Sequence, residues 1–173
     1  MEEKLESQFR EVLEFEVGAI EKKEKGLFEI SGYPHYENVI SNWYSFFMNP
    51  DEDHGFKDLF YRSLRELVEE NYSGASKVCI EREFVTSKGN RIDLLVHEGY
   101  TGIENEFVNP VVIENKIYAS PYNDFGDYSA SVNATKDSSK ICIVLSLNKI
   151  HESNLLEFRS FTHEQYLGIV RKN

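Results

Sequence analysis

The sequence predicts an α/β domain in which a helical N-terminal layer precedes a mixed central sheet flanked by helices. Three observations carry this. The hydrophobic period changes from helical to strand-like near residue 75. Beyond that point the β-rich runs fall in the order β-β-β-α-β, followed by a helix. The chain has 173 residues, 40% hydrophobic and 13% aromatic, which is enough for one core and too little for two full domains. We therefore expect a single domain over residues 1–173, with residues 1–74 as the helical layer and residues 75–173 as the sheet-bearing core.

Each element has its own signal. Leu5, Phe9, Val12, Leu13, Val17 and Ile20 fall at helical spacing, and Gly26 suits the end of that helix. Ser31-Gly32-Tyr33-Pro34 breaks the chain. A second helix is expected over residues 36–48. Val39, Ile40, Trp43, Tyr44, Phe46 and Phe47 make it apolar around much of its girth, which predicts deep burial. After a loop over residues 49–55, Phe56, Leu59, Phe60, Leu64, Leu67 and Val68 mark a third helix, ending near Asn71 and Gly74.

Residues 78–85 and 91–97 read as strands joined by a hairpin turn at Ser87-Lys88-Gly89-Asn90. Residues 111–117 form another β-rich run. A helix is expected around residues 125–134, although Gly126 and Ser129 weaken it. Residues 141–147 are apolar on both faces, as a central strand requires. Thr162 suits the cap of a last helix running through Val170. The chain stops directly after it, so a longer natural protein, truncated here at its C-terminus, stays open as an expectation.

Composition sets bounds on function. Thirty acidic against 19 basic residues give a formal charge of −11, and an acidic surface repels nucleic acid and anionic membranes. On charge alone a DNA-binding protein is disfavoured. No stretch approaches the ~18 apolar residues of a membrane helix, and no signal peptide opens the chain, so a soluble, cytoplasmic protein is expected. Cys79 and Cys142 read as small buried hydrophobes rather than a disulfide. The five histidines show no zinc-ligand spacing, and there is neither a glycine-rich phosphate loop nor a Gly-x-Ser-x-Gly motif.

One constellation carries chemistry. In a strand, alternate side chains share a face. Ile92, Leu94 and Val96 should therefore point one way, and Asp93 the other, with Arg91 and Leu95. In the run Val111-Val112-Ile113-Glu114-Asn115-Lys116-Ile117, Glu114 and Lys116 oppose Ile113 and Ile117. Mid-strand charges in a buried sheet are costly unless paired or bound to a cation. Two carboxylates and one ammonium make a net negative pocket suited to a divalent metal, with hard oxygen ligands and room for water and phosphate. Glu-x-Lys also occurs at Glu2/Lys4 and Glu21/Lys23, in polar helical patterns that read as solvated surface. The plain alternative for the third copy is an internal salt bridge at a sheet edge, and spacing alone leaves the two readings level.

Asp93 followed by Ile113-Glu114-Asn115-Lys116-Ile117-Tyr118-Ala119 resembles the PD-(D/E)XK nuclease superfamily. The wording Arg91-Ile92-Asp93-Leu94-Leu95-Val96 is similar to a bacterial and phage, restriction-endonuclease-like branch of it. The stretch from Glu37-Asn38-Val39-Ile40-Ser41 through Met48-Asn49-Pro50 and His54-Gly55 to Phe60 resembles that branch's N-terminal helix pair. The resemblance covers residues 35–147. It implies a restriction-endonuclease-like αβββαβ core and hydrolysis of phosphodiester bonds in nucleic acid, with DNA expected and Mg²⁺ (or Mn²⁺) as cofactor. It makes Asp93 and Glu114 metal ligands and Lys116 the catalytic lysine. The backbone carbonyl of Asn115 would add a ligand. Glu37 would be the helical acid that completes the metal site or holds a second metal; an ordinary acid at a helix N-terminus accounts for it nearly as well.

The sequence departs from that pattern downstream. Many relatives carry Gln-Leu-x-x-Tyr on the helix after the lysine, whereas this chain has Asp124-Phe125-Gly126-Asp127-Tyr128. Tyr128 is kept, but an acid stands where the amide is expected, which either disturbs substrate contact or adds a metal ligand. Glu83 reads as strand surface, Glu104-Asn105-Glu106 as an acidic loop, and the aromatics of residues 43–47 as core. A homodimer or a partner protein is left open. The second functional reading is a nuclease-like domain that no longer cuts and serves as an interaction module or a fragment of a larger assembly. Residues 31–116 hold 15 acids and 8 bases, whereas residues 117–173 are neutral. A metal would offset part of the first segment's charge, and the neutral segment is the expected side for phosphate. Weak, metal-dependent DNA affinity follows for this chain alone.

Overall fold

The computed structural model of the chain describes residues 37–69, 72, 74–75, 77–117, 123–151 and 155–173. The helix expected over residues 5–20 lies outside them. The chain divides after Pro34, and His35–Asn173 forms one compact unit that holds every element below.

Two helices come first, α1 (Glu37–Met48) and α2 (Leu59–Val68). The hairpin β1 (Cys79–Val85) and β2 (Arg91–His97) follows, then the short β3 (Gly99–Tyr100) and β4 (Glu106–Val108), and β5 (Val111–Lys116). Next are α3 (Phe125–Ala130), β6 (Asn133–Ala134), β7 (Ile141–Ser146), β8 (Arg159–Thr162) and α4 (His163–Lys172). The main sheet has five strands in the order β1-β2-β5-β7-β8. The β1/β2 and β2/β5 pairs are antiparallel, and the β5/β7 and β7/β8 pairs are parallel. This is the mixed sheet and the αβββαβ order that the sequence predicts. The parallel step from β5 to β7 is made through α3, as a crossover demands.

Alternation along the central strands builds two cores. Val111 and Ile113 of β5, with Ile141, Ile143 and Leu145 of β7, pack against Tyr44 and Met48 of α1, Tyr61 and Leu64 of α2, and Tyr166 of α4. Val112, Cys142 and Val144 point the other way, to Phe125 and Tyr128 of α3 and to Leu155 and Phe158. Every residue of β5 and β7 is buried, which explains their continuous apolar reading. The helix α4 is fixed by a capping box, in which the Thr162 hydroxyl accepts from Gln165 N–H and Gln165 Oε1 accepts from Thr162 N–H.

Several expectations need correction. The helix α1 is not buried all round: Trp43 and Phe46 are 47% and 36% exposed. Only one stripe of a helix can reach a sheet. Phe46 and Phe47 instead pack with His54, and Phe47 stacks on Phe60 at 5.0 Å. The helix α2 starts at Leu59 rather than Phe56, because Lys57 has φ 53, outside the helical region. The helix α3 stops at Ala130, and Asn133–Ala134 pairs with β4 in a small second sheet. Glu106, read as loop, opens β4. The strands β3, β4, β6 and β8 are too short to show a period. Cys79 and Cys142 are free thiols. Their strands lie three places apart in the sheet, about 14 Å, beyond disulfide reach.

The most consequential correction concerns the hairpin. Ile80, Leu94 and Val96 belong to the first core, yet Phe84 and Ile92 join the second. Both strands therefore change face at one level, that of Glu83 and Asp93, between the pairs Arg82↔Leu94 and Phe84↔Ile92. The backbone cause is visible: Glu83 has φ 54, a left-handed conformation inside a strand. Replacing Glu83 with Gly should therefore preserve or raise stability, while Glu83→Val should lose about 1 kcal/mol or more. This reverses ordinary strand preference, and urea unfolding of the three proteins checks it.

Candidate active site

The site is built where β2 and β5 part. Their paired register ends at Leu94↔Ile113. Beyond it, Asn115 N–H donates to Asp93 Oδ2 at 2.7 Å, so a carboxylate takes a donor that a neighbouring strand would ordinarily use. The Asn115 side chain points to the first core and donates to Ser41 Oγ of α1 at 2.7 Å. Strand alternation then sends Glu114 and Lys116 to the opposite face.

Glu114 and Lys116 are only 2% and 7% exposed. Lys116 Nζ lies 2.7 Å from Glu114 Oε1 and 3.3 Å from Glu37 Oε2. Glu37 also accepts from Ile117 N–H through Oε1 at 3.1 Å. The first residue of α1 thus reaches around the end of β5 and holds both the lysine and the first amide beyond the strand. Glu37 sits at a helix N-terminus, where the dipole favours an anion, and here that anion has a specific partner.

Glu114 Oε1 takes a second donor, Asn123 Nδ2, which also donates to Tyr128 Oη at 3.1 Å. By contrast, Glu114 Oε2 is buried and has no hydrogen-bond partner among the described residues. An unpartnered carboxylate oxygen in a dry site is costly, and it is the feature that asks for a cation. Chemically, the two carboxylates Asp93 and Glu114 are the hard oxygen donors a divalent ion takes. Among the described residues, however, no three His, Cys, Asp or Glu side chains form a group placed to hold a metal ion. Glu37 faces the lysine instead of joining Asp93 and Glu114.

The electrostatics follow from burial. Burial pushes Asp93 up to about 6, against the pull of the Asn115 N–H and Lys116, with Glu37 and Glu83 adding to the rise. Burial and the neighbouring Asp93 push Glu114 up to about 8, although Lys116 opposes this. For Lys116, burial favours the neutral amine, but Glu114, Glu37 and Asp93 outweigh it and hold the ammonium above its ordinary range. At neutral pH the lysine therefore carries its proton, and burial beside Asp93 favours the protonated form of Glu114.

The other candidates fall outside this cluster. Glu83 pairs with Arg91 at 3.6 Å and reaches Asp93 only through its field. Asp124 accepts from Asp127 N–H as the cap of α3 and pairs with Lys88 at 2.9 Å. Asp127 is buried and accepts from Asn90 Nδ2 at 2.8 Å and Thr86 Oγ1 at 2.5 Å, tying α3 to the β1–β2 hairpin. The helical alignment on Tyr128 points to Asp124 because it assumes the helix already runs there, whereas α3 begins at Phe125.

Residues 25–169 match the family model described as the PD-(D/E)XK nuclease superfamily. No curated protein and no solved structure gives a match.

The raised carboxyls make a stability prediction. Asp93 and Glu114 bind protons more tightly folded than at their ordinary values of 3.8 and 4.5. Their contribution is full below those values and is lost as pH rises through about 6 and about 8. In EDTA, wild-type stability should decline across that window. Glu114→Gln should flatten the decline and exceed wild type at pH 8.5. Urea unfolding at a series of pH values measures both, and parallel profiles would count against the protonated Glu114.

Proposed function

The chain belongs to the PD-(D/E)XK nuclease superfamily, and on that premise we propose that it is a metal-dependent nuclease hydrolysing phosphodiester bonds of nucleic acid, with DNA as substrate. The observation that carries this is the Glu114 carboxylate, with one oxygen held by Lys116 and the other buried without a partner among the described residues. Members of the superfamily generally use divalent metals. Asp93, Glu114 and the Asn115 carbonyl are the residues that would hold Mg²⁺ or Mn²⁺ here. When bound, the ion supplies charge neutralisation at the scissile phosphate and a lower pKa for the attacking water.

The chain's own residues divide the remaining work. Asp93 has Oδ2 held by the Asn115 N–H, and its carboxylate would supply one of the ion's oxygen ligands. Lys116 is too firmly protonated to serve as a base from its resting state. It acts by donating hydrogen bonds from Nζ, orienting the water and offsetting charge that grows on the phosphate oxygens. Glu37 keeps that ammonium aimed while the site is empty of substrate, and we assign it to the lysine. The walls of β5 and the second core exclude bulk water, which strengthens each of these interactions.

The acidic charge of −11 supports one competing reading, a nuclease-like module that no longer cuts. Incubation with linear, supercoiled and single-stranded DNA, in Mg²⁺ or Mn²⁺ and in EDTA, separates the two. Wild type should cleave only with metal. Asp93→Ala, Glu114→Ala and Lys116→Ala should each lose about 100-fold or more, and Glu37→Gln about tenfold. No cleavage of any substrate sinks the enzyme reading. Cleavage untouched by all three alanine variants would place the activity elsewhere. Tight DNA binding in EDTA at physiological salt would contradict the expected metal dependence of affinity.

A further inference from the structure

We infer that Asn123 is a positioning residue that aims the Glu114 carboxylate and thereby sets the affinity of the site for its divalent ion. This rests on the metal-site reading above and goes beyond it by assigning a residue from outside the acid/acid/lysine motif. The geometry is asymmetric. Among the described residues, the donors that reach Glu114, Lys116 Nζ and Asn123 Nδ2, converge on Oε1, and Oε2 has no partner. The terminal torsion of a glutamate is broad and two-fold, so its orientation depends on what grips one oxygen.

The two grips are not equivalent. Lys116 is shared with Glu37 and must turn toward substrate to act. Once it leaves, Asn123 is the donor that remains on Oε1. The amide is neutral, so it orients the carboxylate without competing with a cation for its charge. Asn123 is itself anchored by Tyr128. Tyr128 is 4% exposed in the second core, edge-on to Phe125 at 6.2 Å. The helix carrying it is held through Asp127 to Asn90. The chain is therefore Asn90, Asp127, α3, Tyr128, Asn123 and Glu114, and it fixes the free oxygen from a packed wall. Outer partners of this kind commonly change metal affinity by 10–100-fold.

The test uses the full chain and Mn²⁺ alone, titrated by electron paramagnetic resonance without nucleic acid, beside DNA cleavage and thermal midpoints in EDTA. Asn123→Ala should weaken Mn²⁺ binding about tenfold or more. Tyr128→Phe, which keeps the ring and its packing, should weaken it by a smaller factor and serves if the alanine variant fails to fold. Asp124→Asn, next in the chain and still able to cap α3, should bind Mn²⁺ as wild type does. A merely structural role would lower the midpoint of Asn123→Ala and leave the affinity of the folded protein alone. Affinity within twofold of wild type in both Asn123→Ala and Tyr128→Phe overturns the inference, as does an equal loss in Asp124→Asn. Should wild type bind Mn²⁺ with the expected variant pattern yet cleave nothing, the inference stands and the nuclease reading falls. Cleavage with unchanged variant affinities gives the converse, and a wild type that binds no Mn²⁺ overturns both.

Discussion

The site depends on a change of face that two strands make together. At the level of Glu83 and Asp93, the β1–β2 hairpin rolls from one core to the other, and the left-handed backbone of Glu83 sits at that roll. The same level is where β2 and β5 stop pairing. Had the strands stayed regular, Asp93 would have pointed squarely out of one sheet face and Asn115 N–H would have remained within the ladder. Instead the carboxylate occupies the cleft that opens between the strands and takes that N–H. A backbone conformation costing about 1 kcal/mol is retained where it delivers an acid to the strand that holds the other acid and the lysine.

The second constraint is electrostatic. Glu114 and Lys116 are close and buried, and a buried ion pair gives little net stability after desolvation. The arrangement is better understood as a store of unmet charge. Asp93, Glu114 and Glu37 face one ammonium, and burial raises the proton affinity of the two inner acids. A proton or a cation would relieve the same tension, so on the proposed reading metal uptake would be coupled to proton release. Three of the 15 acids over residues 31–116, Glu37, Asp93 and Glu114, gather around Lys116, where a divalent ion would offset part of their charge.

Much of this was legible before any coordinates. The order of the strands, the adjacency of β2 and β5, and the opposition of Glu114 and Lys116 to Ile113 follow from period-two alternation in strands long enough to show it. What could not be read had identifiable causes. Phe84 breaks the alternation where the φ of Glu83 changes sign, Ile92 opposite it changes face as well, and no residue type at Glu83 announces that. Trp43 and Phe46 are apolar but exposed, since hydrophobicity does not say which stripe of α1 meets the sheet. Asp124 attracted attention because it lines up with the helical Tyr128, whereas the contact to Glu114 comes from Asn123, which precedes the helix. Glu37 could not be separated from an ordinary helix-capping acid until its distance to Lys116 was known. Strands of two to four residues, such as β6 and β8, carry too few side chains for any period to register.

The full burial of β5 has a consequence for how the chain tolerates insertions and deletions. The strand is gripped by β2 on one side and β7 on the other, and each of its six residues is enclosed. Losing or gaining one residue upstream of Glu114 would exchange its two faces. The acid and the lysine would be driven into the aliphatic core beneath α1, and Ile113 would be turned toward Asn123. A change of two residues restores the faces but shifts the strand end by about 7 Å, which strands Glu37 from both Lys116 and the Ile117 amide. Length variation in this chain must therefore fall in its loops, and the segment between Val111 and Lys116 has a fixed length for as long as the site persists.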